Sequence, residues 1–213
     1  LDVTKQDQVD AAVETVSEFL KGQTLTGLVN NAGIANMGPL AIQPLDEFKA
    51  HFEVNVFGLL RASQAFAPLL GMDKARTGAP GRIINITSVG GRVSAPFLGA
   101  YTATKHAVEA MTDSLRRELV IFGIDAIAIG PGSVKTPIWD KAEMMDIEPY
   151  AHTDYARPIQ KILKAVRAEA DKALPAARVA EAVHAALTDK RPKLNTIVIR
   201  NRFEMALMKV LPR

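Results

Sequence analysis

Apolar positions recur along this chain at two spacings. Val9, Ala12, Val13, Val16, Phe19 and Leu20 stand three or four residues apart, the spacing of one helical face. Thr4 suits the cap of that helix and Gly22 its end. A longer helical run opens at Pro44 and reaches about Leu70, with Phe48, Phe52, Val56, Leu59, Leu60, Ser63 and Phe66 on one stripe and Asn55 inside it. Val108, Met111, Leu115, Leu119 and Phe122 mark a third stripe. Ile159, Ile162, Leu163 and Val166 after Pro158 predict a fourth helix. Val179, Ala182, Val183, Ala186 and Leu187 after Pro175 predict a fifth. Between the helical runs lie short apolar runs at 25–30, 82–88, 124–129 and 196–199, and residues 1–3 read as the end of another strand. Strands alternating with helices predict an α/β fold with a doubly wound parallel sheet.

Composition narrows the class. The 213 residues are 48% hydrophobic and 23% charged, enough for one domain over 1–213 with a sizeable core. The net charge of +3 is spread along the chain, so a solvated surface is expected and no nucleic-acid partner. There is no cysteine, which excludes disulfides and thiolate metal sites and fits a cytoplasmic location. No apolar run is long enough for a membrane span. His51, His106, His152 and His184 lack ligand-like spacing, so no metal is expected.

The chemistry concentrates at Tyr101 and Lys105, four positions apart on a helix and therefore on one face. An ammonium about 4 Å from a phenol at an effective dielectric near 20 would favour the phenolate by roughly 4 kcal/mol, about three pKa units. The sequence thus predicts a phenol that trades protons near neutral pH. Ser88 ends a strand 13 residues before Tyr101, across Gly90-Gly91. In open parallel sheets, ligands bind outside the carboxyl ends of the strands, where Ser88 and the start of the Tyr101 helix would meet. Asn55 reads either as a satisfied core amide or as a functional one. Asn30-Asn31-Ala32-Gly33 and Gly130-Pro131-Gly132 read as strand-ending turns that let backbone approach a ligand.

Taken together, Asp2-Val3, Asn30-Asn31-Ala32-Gly33, Asn55, Ser88, Tyr101-x-x-x-Lys105 and Pro131-Gly132-Ser133-Val134-Lys135-Thr136 resemble the short-chain dehydrogenase/reductase family. The tyrosine-helix neighbourhood is similar to the retinol and steroid branch. The resemblance implies a Rossmann-like fold and hydride transfer between NAD or NADP and a secondary alcohol or carbonyl, on a small apolar substrate. It implies Tyr101 as proton donor and acceptor, Ser88 on the substrate oxygen, Lys105 beneath Tyr101 and on the nicotinamide ribose, and Asn55 in a proton relay. Asp2 and Val3 would lie beside the adenine, Asn31, Ala32 and Gly33 along the cofactor, and Pro131, Gly132, Val134 and Thr136 at the nicotinamide carboxamide. Family members commonly pair the two long helices, so a homodimer or homotetramer is expected.

The family's glycine-rich phosphate turn after a first strand is not found here, which predicts that the first βαβα portion is missing from this chain. Two other readings stand beside the oxidoreductase: a non-catalytic binding or scaffold relative, and a nucleotide-sugar epimerase or dehydratase. Only 77 residues follow Thr136, which leaves little room for the latter's substrate domain. Ile138, Trp139, Met144, Met145, Ile147, Tyr150 and Tyr155 could cover an apolar substrate or form a satellite core. The amphipathic stretch 203–211 would pack on a neighbour or a membrane surface.

Overall fold

The computed structural model describes residues 1–136, 148–170 and 172–200, without the side chains of 166–170. Four parallel strands form the central sheet in the order β1 (Gly27–Asn30), β2 (Arg82–Ile86), β3 (Asp125–Pro131) and β6 (Asn195–Val198). Each connection crosses over through helix: α1 (Gln6–Leu20) precedes β1, α2 (Leu45–Phe52) and α3 (Leu59–Phe66) lead to β2, and α4 (Gly99–Leu119) leads to β3. A two-residue pairing of β4 (Val134–Lys135) with β5 (Leu174–Pro175) flanks α5 (Ala156–Ala170), and α6 (Ala177–Thr188) precedes β6.

The two central strands, β2 and β3, bury both their faces, as the inner strands of a parallel sheet do. Ile83 and Ala126 pack with Leu70, Leu119 and Ile124 on the α4 side. Ile84, Ile127 and Ile129 pack against Ala186 of α6 on the other side, with Val179, Ala182, Val183 and Leu187 around them. Each fully buried isoleucine is worth roughly 1.5–3 kcal/mol, so these two layers set the register. That register aligns Asn30 with Asn85 and Ala128 with Asn195.

A line of buried polar side chains crosses the sheet along this register. Asn30 Nδ2 donates to Ser63 Oγ and to Asn85 Oδ1, both at 2.9 Å. Asn85 Nδ2 donates to Thr112 Oγ1 at 2.9 Å. Ser63 and Thr112 each donate on to a carbonyl one helical turn back, Leu59 O and Val108 O. The chain of bonds therefore ties α3, β1, β2 and α4 together with its links satisfied.

Several expectations change. Residues 1–3 form no strand; Asp2 instead accepts from Thr4 N and Thr4 Oγ1, and Val3 O accepts from Arg61 of α3. Thr4 is thereby spent on Asp2, and α1 starts at Gln6 without a side-chain cap. Phe19 is 85% exposed, because Val9, Val13, Val16 and Leu20 already fill the contact with the sheet. Pro175 lies in β5, and its helix starts two residues later. The long helix at 44–70 is interrupted by a π-helical turn, Glu53–Gly58, which carries Asn55. Ile138, Trp139, Met144, Met145, Ile147 and the stretch 203–211 lie outside the described residues, as does the Val166 side chain.

Candidate functional site

Ser88 follows the carboxyl end of β2 and caps the turn Val89–Gly91, its Oγ accepting from Gly90 N at 3.0 Å. Tyr101 sits in the first turn of α4, close enough to the Ser88 side chain for that hydroxyl to draw the phenol's pKa down. The two hydroxyls meet because Gly90 lies between strand end and helix: a Cβ there would be 3.3 Å from Tyr101 Cε1 and 3.4 Å from Ser88 Oγ.

Lys105, 6% exposed, lies one turn further along α4. Its Nζ donates to Ile86 O at 2.9 Å and stands 5.7 Å from the centre of the Tyr101 ring. Burial lowers its pKa to about 8. Lys105 and Tyr101 share a face as expected from sequence, but the expected lowering of the phenol's pKa is not what this fold sets up. The lysine reaches past the ring to a strand carbonyl, and burial pushes the Tyr101 phenol above its ordinary value of 10.0, with Ser88 pulling it part of the way back. At neutral pH the phenol therefore holds its proton.

Asn55 is 1% exposed and fully engaged. Its Oδ1 accepts from Ile34 N at 2.8 Å, while Nδ2 donates to Ile34 O and Thr104 Oγ1, each at 3.0 Å. It clamps the loop after β1 to α4. Because the loop is held this way, Gly33 approaches the buried amine: its Cβ would lie 3.3 Å from Asn55 Oδ1 and 3.9 Å from Lys105 Nζ. His51, fully buried, holds the same loop, accepting from Asn36 N at 2.9 Å and placing Nδ1 2.7 Å from Glu47 O. Sequence reasoning does not find Thr104 and His51 as supports of the site. Thr104 follows Tyr101 by three positions and faces inward, the one hint that the chain offers.

The remaining predicted residues fall in two places. Asn31 and Ala32 are exposed at the carboxyl end of β1. Pro131 ends β3, Gly132 N bonds Val198 O at 2.9 Å, Val134 is buried in β4, and Thr136 follows it. These share the strand-end side of the sheet with Ser88. Asp2 and Val3 sit apart, on the first turn against Arg61 and Gly58 of the π-helical turn and α3 region. The backbone N–H of Thr4, and then its hydroxyl, hold the Asp2 carboxyl below its ordinary pKa.

An aromatic group flanks the start of α4. Phe97 takes a left-handed conformation, φ 64°, with Gly38 N bonded to its carbonyl at 2.8 Å. Its ring meets Tyr155 edge-on at 6.1 Å. Tyr150 is buried beside Gly38 and Gln43; burial, and then the Glu47 carboxylate, raise its pKa. No described helix is long and apolar enough to cross a membrane.

A nicotinamide ribose fits the residues present. The Lys105 amine has three N–H groups and gives one to Ile86 O, and Gly33 leaves beside that amine the space that a side chain would fill.

Comparison with known proteins agrees with this geometry. The short chain dehydrogenase family matches residues 1–146. An NADPH-dependent 3-dehydrocapnine reductase from Ornithobacterium rhinotracheale is 40% identical over 197 residues, 92% of this chain and 69% of that protein. Human retinol dehydrogenase 16 is 40% identical over 146 residues, 68% of this chain. The chain spans less than half of that second relative, 44% of its length. A short-chain dehydrogenase/reductase from Burkholderia phymatum, solved with NAD, superposes with a TM-score of 0.76 at 28% identity, covering 98% of this chain and 72% of that one. With its parallel sheet, its Ser88–Tyr101–Lys105 cluster and these relatives, the chain belongs to the short-chain dehydrogenase family of oxidoreductases.

Proposed function

We propose that this chain is the catalytic portion of an NAD(P)-dependent oxidoreductase that interconverts a secondary alcohol and a carbonyl on an apolar substrate. The observation that carries this reading is the meeting of Ser88 with a Tyr101 phenol that keeps its proton, across Gly90, with a buried amine one turn below. A bound nicotinamide supplies or takes the hydride. In reduction, Tyr101 gives its proton to the carbonyl oxygen, and Ser88 donates a hydrogen bond to the same oxygen as charge develops there. In oxidation the alcohol proton passes to Tyr101. Lys105 holds the nicotinamide ribose through the N–H groups that Ile86 does not take, and its charge stabilises the Tyr101 phenolate once substrate and cofactor exclude water. Asn55 keeps the loop of Asn31, Ala32 and Gly33 against the cofactor; a further part in the proton relay belongs to the same reading. Pro131, Gly132, Val134 and Thr136 receive the carboxamide, and Asp2 and Val3 the adenine.

The relative that aligns with 92% of this chain, at 40% identity, is named as using NADPH, which favours NADPH and the reductive direction here. That relative is named for 3-dehydrocapnine and another for retinol, and the part-exposed Phe97 and Tyr155 rings offer an apolar wall to such a substrate. A homodimer or homotetramer is part of this reading, with Phe57 half-exposed on the helical segment that would pair.

In the full-length protein, Tyr101→Phe should abolish turnover of apolar ketones while fluorescence titration shows cofactor affinity within about threefold of wild type. Turnover comparable to wild type would refute the assignment. Parallel titrations with NADPH and NADH decide between the nucleotides.

A further inference from the structure

The face of α4 that carries Tyr101 and Lys105 continues one turn further to Glu109, at the same four-residue spacing. The segment after Ser88 runs down this face. Gly90 lies over Tyr101, as described. Gly91 lies over the next turn: a Cβ there would be 2.8 Å from Lys105 O and 3.0 Å from Glu109 Cγ. Arg92 then reaches Glu109, with Nη2 3.5 Å from Oε2, and donates to Asn195 Oδ1 at the start of β6. Asn195 Nδ2 closes the triangle on Glu109 Oε2 at 3.3 Å. Three elements meet in this triangle: the catalytic helix, the turn that begins at Ser88, and the last strand.

Positions 90 and 91 of the turn are both glycine, the residue with most backbone freedom, so neither carries a side chain that could brace it. Its anchor comes immediately after, at Arg92. The triangle is a poor source of stability: among the described residues, Arg92 Nε and Glu109 Oε1 are buried without a hydrogen-bond partner. Incompletely paired charges of this kind gain little for the fold as a whole. What they do supply is a fixed distance between turn and helix.

We propose that Arg92, Glu109 and Asn195 form a positioning node that holds the Ser88 hydroxyl against the Tyr101 phenol. None of the three reaches the reacting atoms; they act through the glycine turn. The proposal rests on reading Ser88 and Tyr101 as the proton-handling pair.

The test uses the full-length protein with 3-fluorotyrosine at position 101, whose lower intrinsic pKa keeps the titration within the range of the folded state. Because the Ser88 hydroxyl lowers the phenol's pKa, loosening the turn should raise the ¹⁹F ionisation midpoint toward that of Ser88→Ala. Glu109→Ala and Arg92→Ala should both show this rise, and the double variant should rise no further than the larger single one. Glu109→Gln keeps the contact with Asn195 and should recover part of the wild-type midpoint; it also serves where Glu109→Ala does not fold. In the unlabelled holoenzyme, kcat should fall about tenfold with cofactor Kd within twofold of wild type, the mark of misplacement and not of lost binding. Unmoved midpoints in the variants overturn the proposal, whatever happens to Tm. An absence of nicotinamide turnover in wild type would instead overturn the oxidoreductase reading, and the midpoints would still decide the node.

Discussion

Replacing Lys105 by Met should make the protein more stable at neutral pH and less stable, relative to wild type, at alkaline pH. Lys105 is 6% exposed, and burial lowers its amine's pKa from 10.5 to about 8. A tenfold loss of proton affinity corresponds to about 1.4 kcal/mol, so keeping the cation buried costs about 3 kcal/mol below pH 8. Methionine removes that cost but leaves Ile86 O without its donor, a loss of about 1–3 kcal/mol. The net gain at pH 7 is therefore up to about 2 kcal/mol, or up to roughly 8 °C in Tm for a chain of this size. The sign of the pH dependence follows from proton counts. Below pH 8 the amine is protonated folded and unfolded, and the full cost applies. Between pH 8 and 10.5 only the unfolded chain keeps the proton, so wild-type stability rises with pH relative to the variant. Above 10.5 neither state binds it, and the missing donor alone remains, which favours wild type. Urea unfolding of both proteins from pH 7 to 10.5 measures the difference directly, with titrations common to both cancelling. A stability difference that stays flat across that window would refute the assignment of a strained buried cation. Turnover by the variant should be lost throughout.

Two other outcomes follow from the same contacts. Ultraviolet difference titration of the cofactor-free protein against Tyr101→Phe should place the phenol's ionisation above pH 10, and Ser88→Ala should move it higher, because the Ser88 hydroxyl is what lowers it; a midpoint near neutrality would contradict the burial seen here. Asn85→Ala should destabilise by about 2–4 kcal/mol, since it empties a fully buried site and strips Asn30 and Thr112 of a partner each, although Ser63 and Val108 O still serve them. Thermal melting should show a fall of roughly 5–15 °C, and a change under 2 °C would mean that the polar line is dispensable.

Periodicity was enough to find the helices and strands that pack on the sheet, because burial on a repeating face writes itself into the order of residues. Val108, Leu115 and Leu119 on α4 and Ile83, Ile84 and Ile127 in the strands occupy the expected places. The meeting of Ser88 with Tyr101 was legible too, since both stand at ends of adjacent elements. What the order of residues does not carry is how a long side chain divides its reach. Spacing alone puts Lys105 beside Tyr101, yet its amine bonds the Ile86 carbonyl, which only the fold brings near. Likewise Asn30, Asn85 and Thr112 are far apart along the chain and become one line only through strand register. Asn55 is a hybrid case: its place in an apolar stripe flagged it, but the π-helical turn and the Ile34 contacts that explain it are long-range. Phe19 shows the reverse error, a residue in phase with a stripe whose contact area was already full.

The sheet contains no hairpin among its four strands, and this shapes how the protein is made. Asn30 must wait for Asn85, 55 positions later, and Arg116 for Leu194, 78 positions later, before their bonds can close. A ribosome adding residues one by one therefore releases helices long before any strand has a neighbour. During that interval the apolar strand segments are exposed to solvent and to other nascent chains, so slower elongation or chaperone cover over residues 82–129 should raise the yield of soluble protein.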